Sequence, residues 1–428
     1  MQTDDSMYSH HAEQDEHPTF TESTPLISEP PISLQTCGAT VAQVQFLTLC
    51  LSTFILGWNS SRYFLLFFNL EHYGIGMTEG IRVVQLSQGI GIAAGGLINM
   101  PLTPTLGFGK IVLLGSAVQT IACLLQAILP IWPLFVSSYF LQGLGLVLLN
   151  THARAFIAVK RHNDFKMGLL FVIHDVGNMA SLSFLSQNHH SEILRKCYLF
   201  FSLFLSFLSV VTLVVVFRLR KLDVCLREGG DEPCDSEPDD LSHLDGFTQL
   251  IGMKTTHILA AFYSVYTVTR AITTLTILRY ESGHLVAFLS VLSSGSTLGY
   301  VILIPLNRKV GEINAAYYYT LSAIVALLVA YFVPLVAVQA IAVGWIGIIY
   351  SVLSPIVMTY TGRTIPRHLV PGAIGWLTTC STIFLEAVPP VSNAIFSRYG
   401  VSSLLLCAFI GLILMSLALY RLRKTPSP

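Results

Sequence analysis

Twelve runs of about 20 apolar residues fill most of this chain, and they constrain its fold more than any other feature. A helix of about that length crosses the hydrocarbon core of a bilayer and satisfies its backbone hydrogen bonds internally. Only 11% of the residues are charged, against about 25% in soluble proteins. The sequence therefore predicts membrane-spanning helices. The runs cover residues 43–66, 81–100, 110–129, 133–158, 167–187, 198–217, 257–279, 284–305, 315–333, 335–360, 372–396 and 400–420.

A short pattern at the end of the second run recurs 204 residues later, at the end of the eighth. Gly95, Pro101, Leu102 and Gly107 reappear as Gly299, Pro305, Leu306 and Gly311. Two parallel halves in a membrane protein indicate a secondary transporter with its site between them. The predicted fold is an all-α membrane protein with twelve transmembrane helices in two pseudo-symmetric six-helix bundles.

The polar segments set the domain boundaries and the orientation. We expect a disordered cytoplasmic tail (1–40), a first bundle (41–217), a cytoplasmic linker (218–256) with an interfacial helix near 241–250, a second bundle (257–421) and a short cytoplasmic tail (422–428). Sixteen of the 24 Lys and Arg residues fall on the side of the N-terminus and five on the other. Both termini are therefore expected to be cytoplasmic, because basic loops stay inside.

The N-terminal tail carries one short targeting pattern. The segment from Glu22 to Leu26 and Ile27 fits an acidic dileucine signal, which sorting adaptors read. A tail without a specific role is the alternative. The pattern makes a vacuolar or endosomal membrane a candidate location beside the plasma membrane.

Several classes of function lack their sequence signals. No catalytic motif is present, so an enzyme is not expected, and no basic patch with interleaved aromatic residues suggests nucleic acid. The eight cysteines form no C-x-x-C pair, so we expect no metal site and no cofactor. The expected partners are a small solute, the lipid bilayer and, through the tail, a sorting adaptor; a monomer is expected.

Five segments resemble the major facilitator superfamily, in particular the fungal transporters similar to bacterial fucose permease. The resemblance implies two bundles with alternating access and a central cavity lined by helices one, four, seven and ten, flanked by two, five, eight and eleven. It also implies conformational-switch loops at Gly107, Lys110, Arg308 and Gly311. The segments are PLTPTLGFGKIVLLGSAVQ (101–119), FLQGLGLVLL (140–149), PLNRKVGE (305–312), SPIVMTYTGRTIPRHL (354–369) and GAIGWL (372–377).

The chain departs from that family where acidic residues are expected. Asn150 stands at an aspartate position of helix four, and Tyr263 or Tyr266 at a glutamate position of helix seven. The first switch loop has Pro104 and Thr105 in place of an acid and an arginine. Because proton-linked sugar uptake in this group depends on such carboxylates, the departures argue against proton coupling.

Five residues of fixed charge lie inside the predicted spans, where each costs at least about 2.5–3.5 kcal/mol unless it is paired or hydrated. We expect Arg154 to reach Asp175 on the neighbouring helix, with Asn150 on the same face as Arg154. His174 lines one face with Asn178, and its side chain should diverge from that of Asp175. The charged residues are Arg62, Arg154, Arg270, Asp175 and Glu386.

Structural roles compete with functional ones at each of these positions. Arg62 and Arg154 can snorkel to the interface, Arg270 and Glu386 can pair with each other, and His152 and His174 can be packing residues. If all five charges face one cavity, positive charge exceeds negative, which favours a small polar solute such as a sugar acid or carboxylate over a neutral sugar.

The predicted function is secondary transport of a sugar-like molecule or an organic anion by alternating access. A non-transporting sensor or partner-binding protein of the same fold is the alternative, and a channel is less favoured because no filter-like segment repeats.

Overall fold

The computed structural model describes residues 32–60, 70, 73–128, 131–159, 164–188, 192–219, 243–280, 285–333 and 335–424. It separates the chain into two units, residues 1–40 and 41–428, and all contacts given below lie within the second. The described residues contain twelve long helices. These are α1 (Ile32–Ser60), α2 (Met77–Leu106), α3 (Phe108–Ile128), α4 (Trp132–Ala158), α5 (Asp164–Asn188), α6 (Glu192–Leu213), α7 (Lys254–Tyr280), α8 (Leu285–Val310), α9 (Glu312–Phe332), α10 (Val336–Thr364), α11 (Val370–Tyr399) and α12 (Val401–Lys424).

Each long helix coincides with one predicted run, which confirms the twelve-helix architecture. Ten of them are long and apolar enough over their described residues to cross a membrane. A π-helical turn, Val214–Leu219, extends α6, and a 3-10 turn, Arg367–Leu369, precedes α11. The linker contains a short helix, His243–Gly252, close to the predicted position. α1 begins at Ile32, so the segment 1–40 predicted to be a tail includes the first turns of a helix.

Helix α6 shows why lipid is the solvent for these elements. Its aromatic face is exposed, with Phe200, Phe204 and Phe207 each about 60% accessible. Its serines are buried instead: the Ser202 hydroxyl accepts a hydrogen bond from the indole of Trp58 at 2.9 Å, and the Ser206 hydroxyl accepts one from Asn59. Small hydroxylated residues inside and apolar residues outside are typical of helices packed in a bilayer.

The sequence repeat is also a structural repeat. Gly107 and Gly311 end α2 and α8 with positive φ angles of 76° and 87°, a region that favours glycine. Each donates its backbone N–H four residues back, to the carbonyl of Thr103 at 3.1 Å and of Asn307 at 2.9 Å. Because Thr103 and Asn307 are themselves 204 positions apart, the two loops share one geometry.

The same 204-residue shift relates the packing of α2 on α4 to that of α8 on α10. A Cβ atom on Gly91 would overlap the carbonyl of Phe140, and one on Gly295 would overlap the carbonyl of Gly344. These glycines let the paired helices approach to backbone contact in both halves. The reciprocal contacts are Gly143 with Gln88 and Gly347 with Leu292.

The two halves, α1–α6 and α7–α12, meet along a surface that we call the seam. Several contacts between described residues cross it from the middle toward one end, where α2, α4, α8 and α10 finish and α5 and α11 begin. This end is the predicted cytoplasmic end. The contacts are Asn99 Nδ2 to the Pro371 carbonyl (3.2 Å), Thr379 Oγ1 to the Ala93 carbonyl (3.4 Å), the rings of Phe171 and Tyr300, and the close approach of Ala158 to Gly362.

Candidate functional site

The α7 wall of the seam carries a ladder of polar side chains one helical turn apart. Arg270 donates a long hydrogen bond to the Tyr266 hydroxyl at 3.4 Å, and that hydroxyl donates to the Tyr350 carbonyl of α10 at 2.6 Å. The Thr273 and Tyr350 hydroxyls lie 3.1 Å apart. The ladder ties α7 to α10 and fixes where Arg270 stands.

Arg270 is exposed, whereas its neighbours on the same helix, Tyr266, Thr269 and Thr273, are buried. Asp175 and Tyr300 of the other helices lie close enough to influence it electrostatically. An exposed charged side chain with groups of both halves nearby fits a crevice at the seam better than a lipid-facing surface.

The α5 wall is held close to α1 by two glycines. A Cβ on Gly57 would overlap the His174 carbonyl, and one on Gly177 would overlap the Phe54 carbonyl. This packing brings His174 and Asp175 to the seam half-buried, with His174 Nδ1 3.4 Å from the Asp175 carboxylate. The prediction that the two side chains diverge is wrong, because the His174 ring reaches the carboxylate of the adjacent residue.

The predicted direct pair of Arg154 with Asp175 is not formed. The Arg154 guanidinium lies over the ring of Phe171, 4.4 Å from its centroid. That ring stacks on Tyr300 of the other half, with centroids 6.0 Å apart and planes inclined by 22°. A cation over an aromatic face is attracted by the ring quadrupole, so Arg154 is held by an aromatic stack that crosses the seam.

Tyr300 nevertheless joins the three fixed charges into one site. Arg154 is linked to it through the ring of Phe171, and Asp175 and Arg270 lie close enough to influence its hydroxyl electrostatically. The structure therefore brings together three of the five predicted intramembrane charges, one on each of α4, α5 and α7. Half-buried Asn150, one turn before Arg154, has no hydrogen bond to the described residues.

Glu386 stands apart from this cluster. Its carboxyl group packs against Gly89 of α2, where an added Cβ would lie 2.7 Å from the Glu386 carboxyl carbon. Arg270 instead donates a hydrogen bond to Tyr266, and the nearby charge is that of Asp175, so the alternative of an Arg270–Glu386 pair is not realised. Glu386 belongs to the α2–α11 contact.

The structure supports a packing role for His152. The side chain is fully buried; its Nδ1 donates to the Leu148 carbonyl at 2.9 Å, and its Nε2 lies 3.3 Å from the Thr103 hydroxyl. Asn178 takes part in an interaction and is not a free side chain. Lys110 is exposed beside its loop. Arg62, the side chain of Arg308, and the sorting pattern at Glu22, Leu26 and Ile27 lie outside the described residues.

Sequence reasoning missed the aromatic residues of the site. Phe171, Tyr300 and Tyr350 sit inside apolar runs, where aromatic residues also occur for packing or at the membrane interface. The available signal was position: Phe171 lies one turn before His174 and Asp175, and Tyr350 lies one turn before Ser354, which corresponds to Asn150 in the 204-residue repeat.

Comparison with known proteins agrees with this geometry. The sequence profile described as Major Facilitator Superfamily matches residues 47–385. A structure of an MFS transporter, FucP, in the outward conformation superposes with a TM-score of 0.70 and 16% identity, covering 90% of this chain and 100% of that one. The human organic anion transporter MFSD10 superposes with a TM-score of 0.67 and 13% identity, covering 91% and 100%. No curated protein sequence matches the chain.

Proposed function

We propose that this chain, which belongs to the Major Facilitator Superfamily, carries a small polar organic solute across a membrane by alternating access. The observation that carries the proposal is the cluster of Arg154, Asp175 and Arg270 around Tyr300, at the seam between two repeated bundles. Fixed charges inside a membrane protein are costly unless they serve a hydrated pathway or a ligand.

The distribution of contacts along the seam supports an alternating mechanism. The Asn99–Pro371 hydrogen bond and the close approach of Ala158 to Gly362 join the halves near the predicted cytoplasmic end, which supports a conformation closed on that side. The mirrored packing of α2 on α4 and α8 on α10 gives each half a rigid body. Rocking two such bodies about a central site is how repeat-built transporters expose it to each side.

We propose uniport or weakly coupled symport rather than strict proton symport. Asn150, Tyr263 and Tyr266 occupy positions where related sugar symporters are expected to have acids, and amide and phenol groups hold no exchangeable charge at neutral pH. Asp175 is the described acid of the cluster, and this supports weak rather than strict coupling.

We also propose that both termini lie in the cytoplasm and that the protein is a monomer in the plasma membrane or a vacuolar or endosomal membrane. The excess of basic residues on the side of the N-terminus supports the orientation. The dileucine pattern at Leu26 and Ile27 supports an endosomal or vacuolar route through a sorting adaptor.

Purified protein in liposomes tests the function. A panel of labelled sugars, polyols, sugar acids and carboxylates is offered at two external pH values. We expect saturable uptake of at least one solute, with little dependence on the pH gradient, and loss of that uptake in Arg154→Ala. Binding of a solute without flux would instead favour a membrane sensor, and uptake that requires the gradient would refute weak coupling.

A further inference from the structure

We infer that the seam cluster binds a monovalent organic anion and that Arg270 receives its carboxylate. This inference rests on the proposed function, since it names the class of solute for the same site. Three observations carry it: the charge balance of the cluster, the unused hydrogen-bonding capacity of Arg270, and the separate engagement of Arg154.

The described charges of the cluster do not cancel. Arg154 and Arg270 contribute two positive charges, and Asp175 contributes one negative charge. His174 is not a fixed charge, and its Nδ1 lies 3.4 Å from the Asp175 carboxylate. Glu386 is turned toward Gly89 and does not act on Arg270. One positive charge is therefore left over, and a solute with a single negative charge neutralises it in an environment where uncompensated charge is costly.

Arg270 has the free donors that a carboxylate requires. Its hydrogen bond within the described residues is the 3.4 Å contact to the Tyr266 hydroxyl. No described carboxylate oxygen lies within 4 Å of it, although Asp175 is near enough to act on it electrostatically. A guanidinium group has five N–H donors in a planar fork that matches a carboxylate in a bidentate arrangement. The fork of Arg270 is exposed and is not paired with an acid of the described residues.

Arg154 is a less suitable receptor for the carboxylate. Its guanidinium lies over Phe171, and the Phe171 ring in turn stacks on Tyr300. Binding a carboxylate there would pull the guanidinium away from the ring. Arg154 therefore adds positive potential to the site, while the half-buried amide of Asn150, one turn away, is placed for a neutral hydroxyl of the solute.

Three six-carbon probes that differ in charge test this inference: glucitol (neutral), gluconate (one negative charge) and glucarate (two). Binding to the purified protein is measured calorimetrically in detergent, and uptake is measured in liposomes. We expect gluconate to bind more tightly than either of the others. The Arg270→Gln variant should bind gluconate about 10- to 150-fold more weakly, the range that one charge-assisted hydrogen bond contributes, and should bind glucitol unchanged.

The Asp175→Asn variant should gain affinity for a doubly charged anion, a result that misfolding could not produce. Removing the acid leaves two uncompensated guanidinium groups, so the preference should move from gluconate toward glucarate by about tenfold or more. Arg398→Gln, an exposed position at the far end of α11, serves as the matched control and should change neither affinity nor preference.

The outcomes separate this inference from the proposed function. Gluconate binding without uptake would refute transport and leave the anion site standing. A different result would refute the anion site and leave transport standing: uptake of glucitol that is inhibited neither by gluconate nor by simple monocarboxylates from acetate to benzoate. The inference is also overturned if none of these anions binds, or if Asp175→Asn leaves the order of affinities as in the parent protein.

Discussion

A single methyl group at Gly362 should loosen the closed end of the seam. Gly362 on α10 approaches Ala158 at the end of α4 so closely that an added Cβ would overlap the Ala158 carbonyl and lie 2.7 Å from its Cβ atom. Ordinary contacts between carbon atoms are about 3.5–4.0 Å. The Gly362→Ala substitution must therefore separate the two helices by about 1 Å, because backbone cannot rotate away as a side chain can.

The size of the effect follows from the cost of overpacking. Extra methyl groups in a packed contact cost about 1–3 kcal/mol. The penalty applies only while this end is closed, since the two residues part when the halves rock open. The ratio of closed to open molecules should therefore fall about 5- to 150-fold, without a comparable loss of stability in the open form.

Thiol labelling measures that ratio. In a cysteine-free background, Ile304→Cys places a reporter at a buried position that packs against Gly168 across another part of the seam. Gly362→Ala should raise its reaction rate with a maleimide in proportion to the open fraction. The matched control is Gly344→Ala on the same helix, where the added Cβ would lie 3.1 Å from a movable Val291 methyl group. Equal rates in the two variants would refute the reasoning.

The same contact can be tested in the opposite sense with a disulfide. The Ala158→Cys and Gly362→Cys pair starts with Cβ atoms about 1 Å closer than the 3.5–4.5 Å that a disulfide needs, a gap that a small separation of the helices provides. Oxidation should trap the closed state and stop solute exchange, and a reductant should restore it. Exchange that continues with the bridge formed would show that this end does not open during transport.

Two further predictions concern the C-terminal half. Gly311→Ala should lower the free energy of unfolding by about 1–2 kcal/mol, because a side chain is disfavoured at its φ of 87°. In detergent, this variant should therefore unfold at a lower temperature than Gly252→Ala, where nothing lies within 4 Å of the added Cβ. Equal melting temperatures would contradict the predicted strain. Glu312 and Arg363 form an ion pair at 2.9 Å with the carboxylate side largely buried, and a double-mutant cycle with Glu312→Gln and Arg363→Gln should give a coupling of about 1 kcal/mol; a coupling of zero would assign the pair no role in stability.

The helices and their repeat could be predicted because they depend on local patterns. A run of about 20 apolar residues is long enough to span a bilayer whatever surrounds it, and the described parts of all twelve runs are helical. Gly107 and Gly311 mark the repeat in the sequence because their backbone geometry favours a residue without a side chain. The enclosure of Arg270 also followed from the cost of exposing a charge to lipid.

The partners of the charges could not be predicted in the same way. Arg154 has a long side chain with many rotamers, and sequence spacing gave only the heights of Arg154 and Asp175 along their helices. In the structure, the face of Phe171 offers Arg154 an attraction that does not require desolvating a second charge. The ring that contacts the Arg154 guanidinium is determined by the packing of α4, α5 and α8 together. The sequence of a single helix does not predict that packing.

The two halves of the chain share their backbone packing but differ in their side chains. Positions 204 residues apart share the backbone contacts that hold α2 on α4 and α8 on α10, so each half can move as a body of similar shape. The side chains differ: Phe108 packs among the rings of Phe156 and Phe217, whereas its counterpart Glu312 forms an ion pair with Arg363. Arg154 comes from α4 and Arg270 from α7, which are not equivalent in the 204-residue repeat, so the proposed site is asymmetric although the packing around it is repeated.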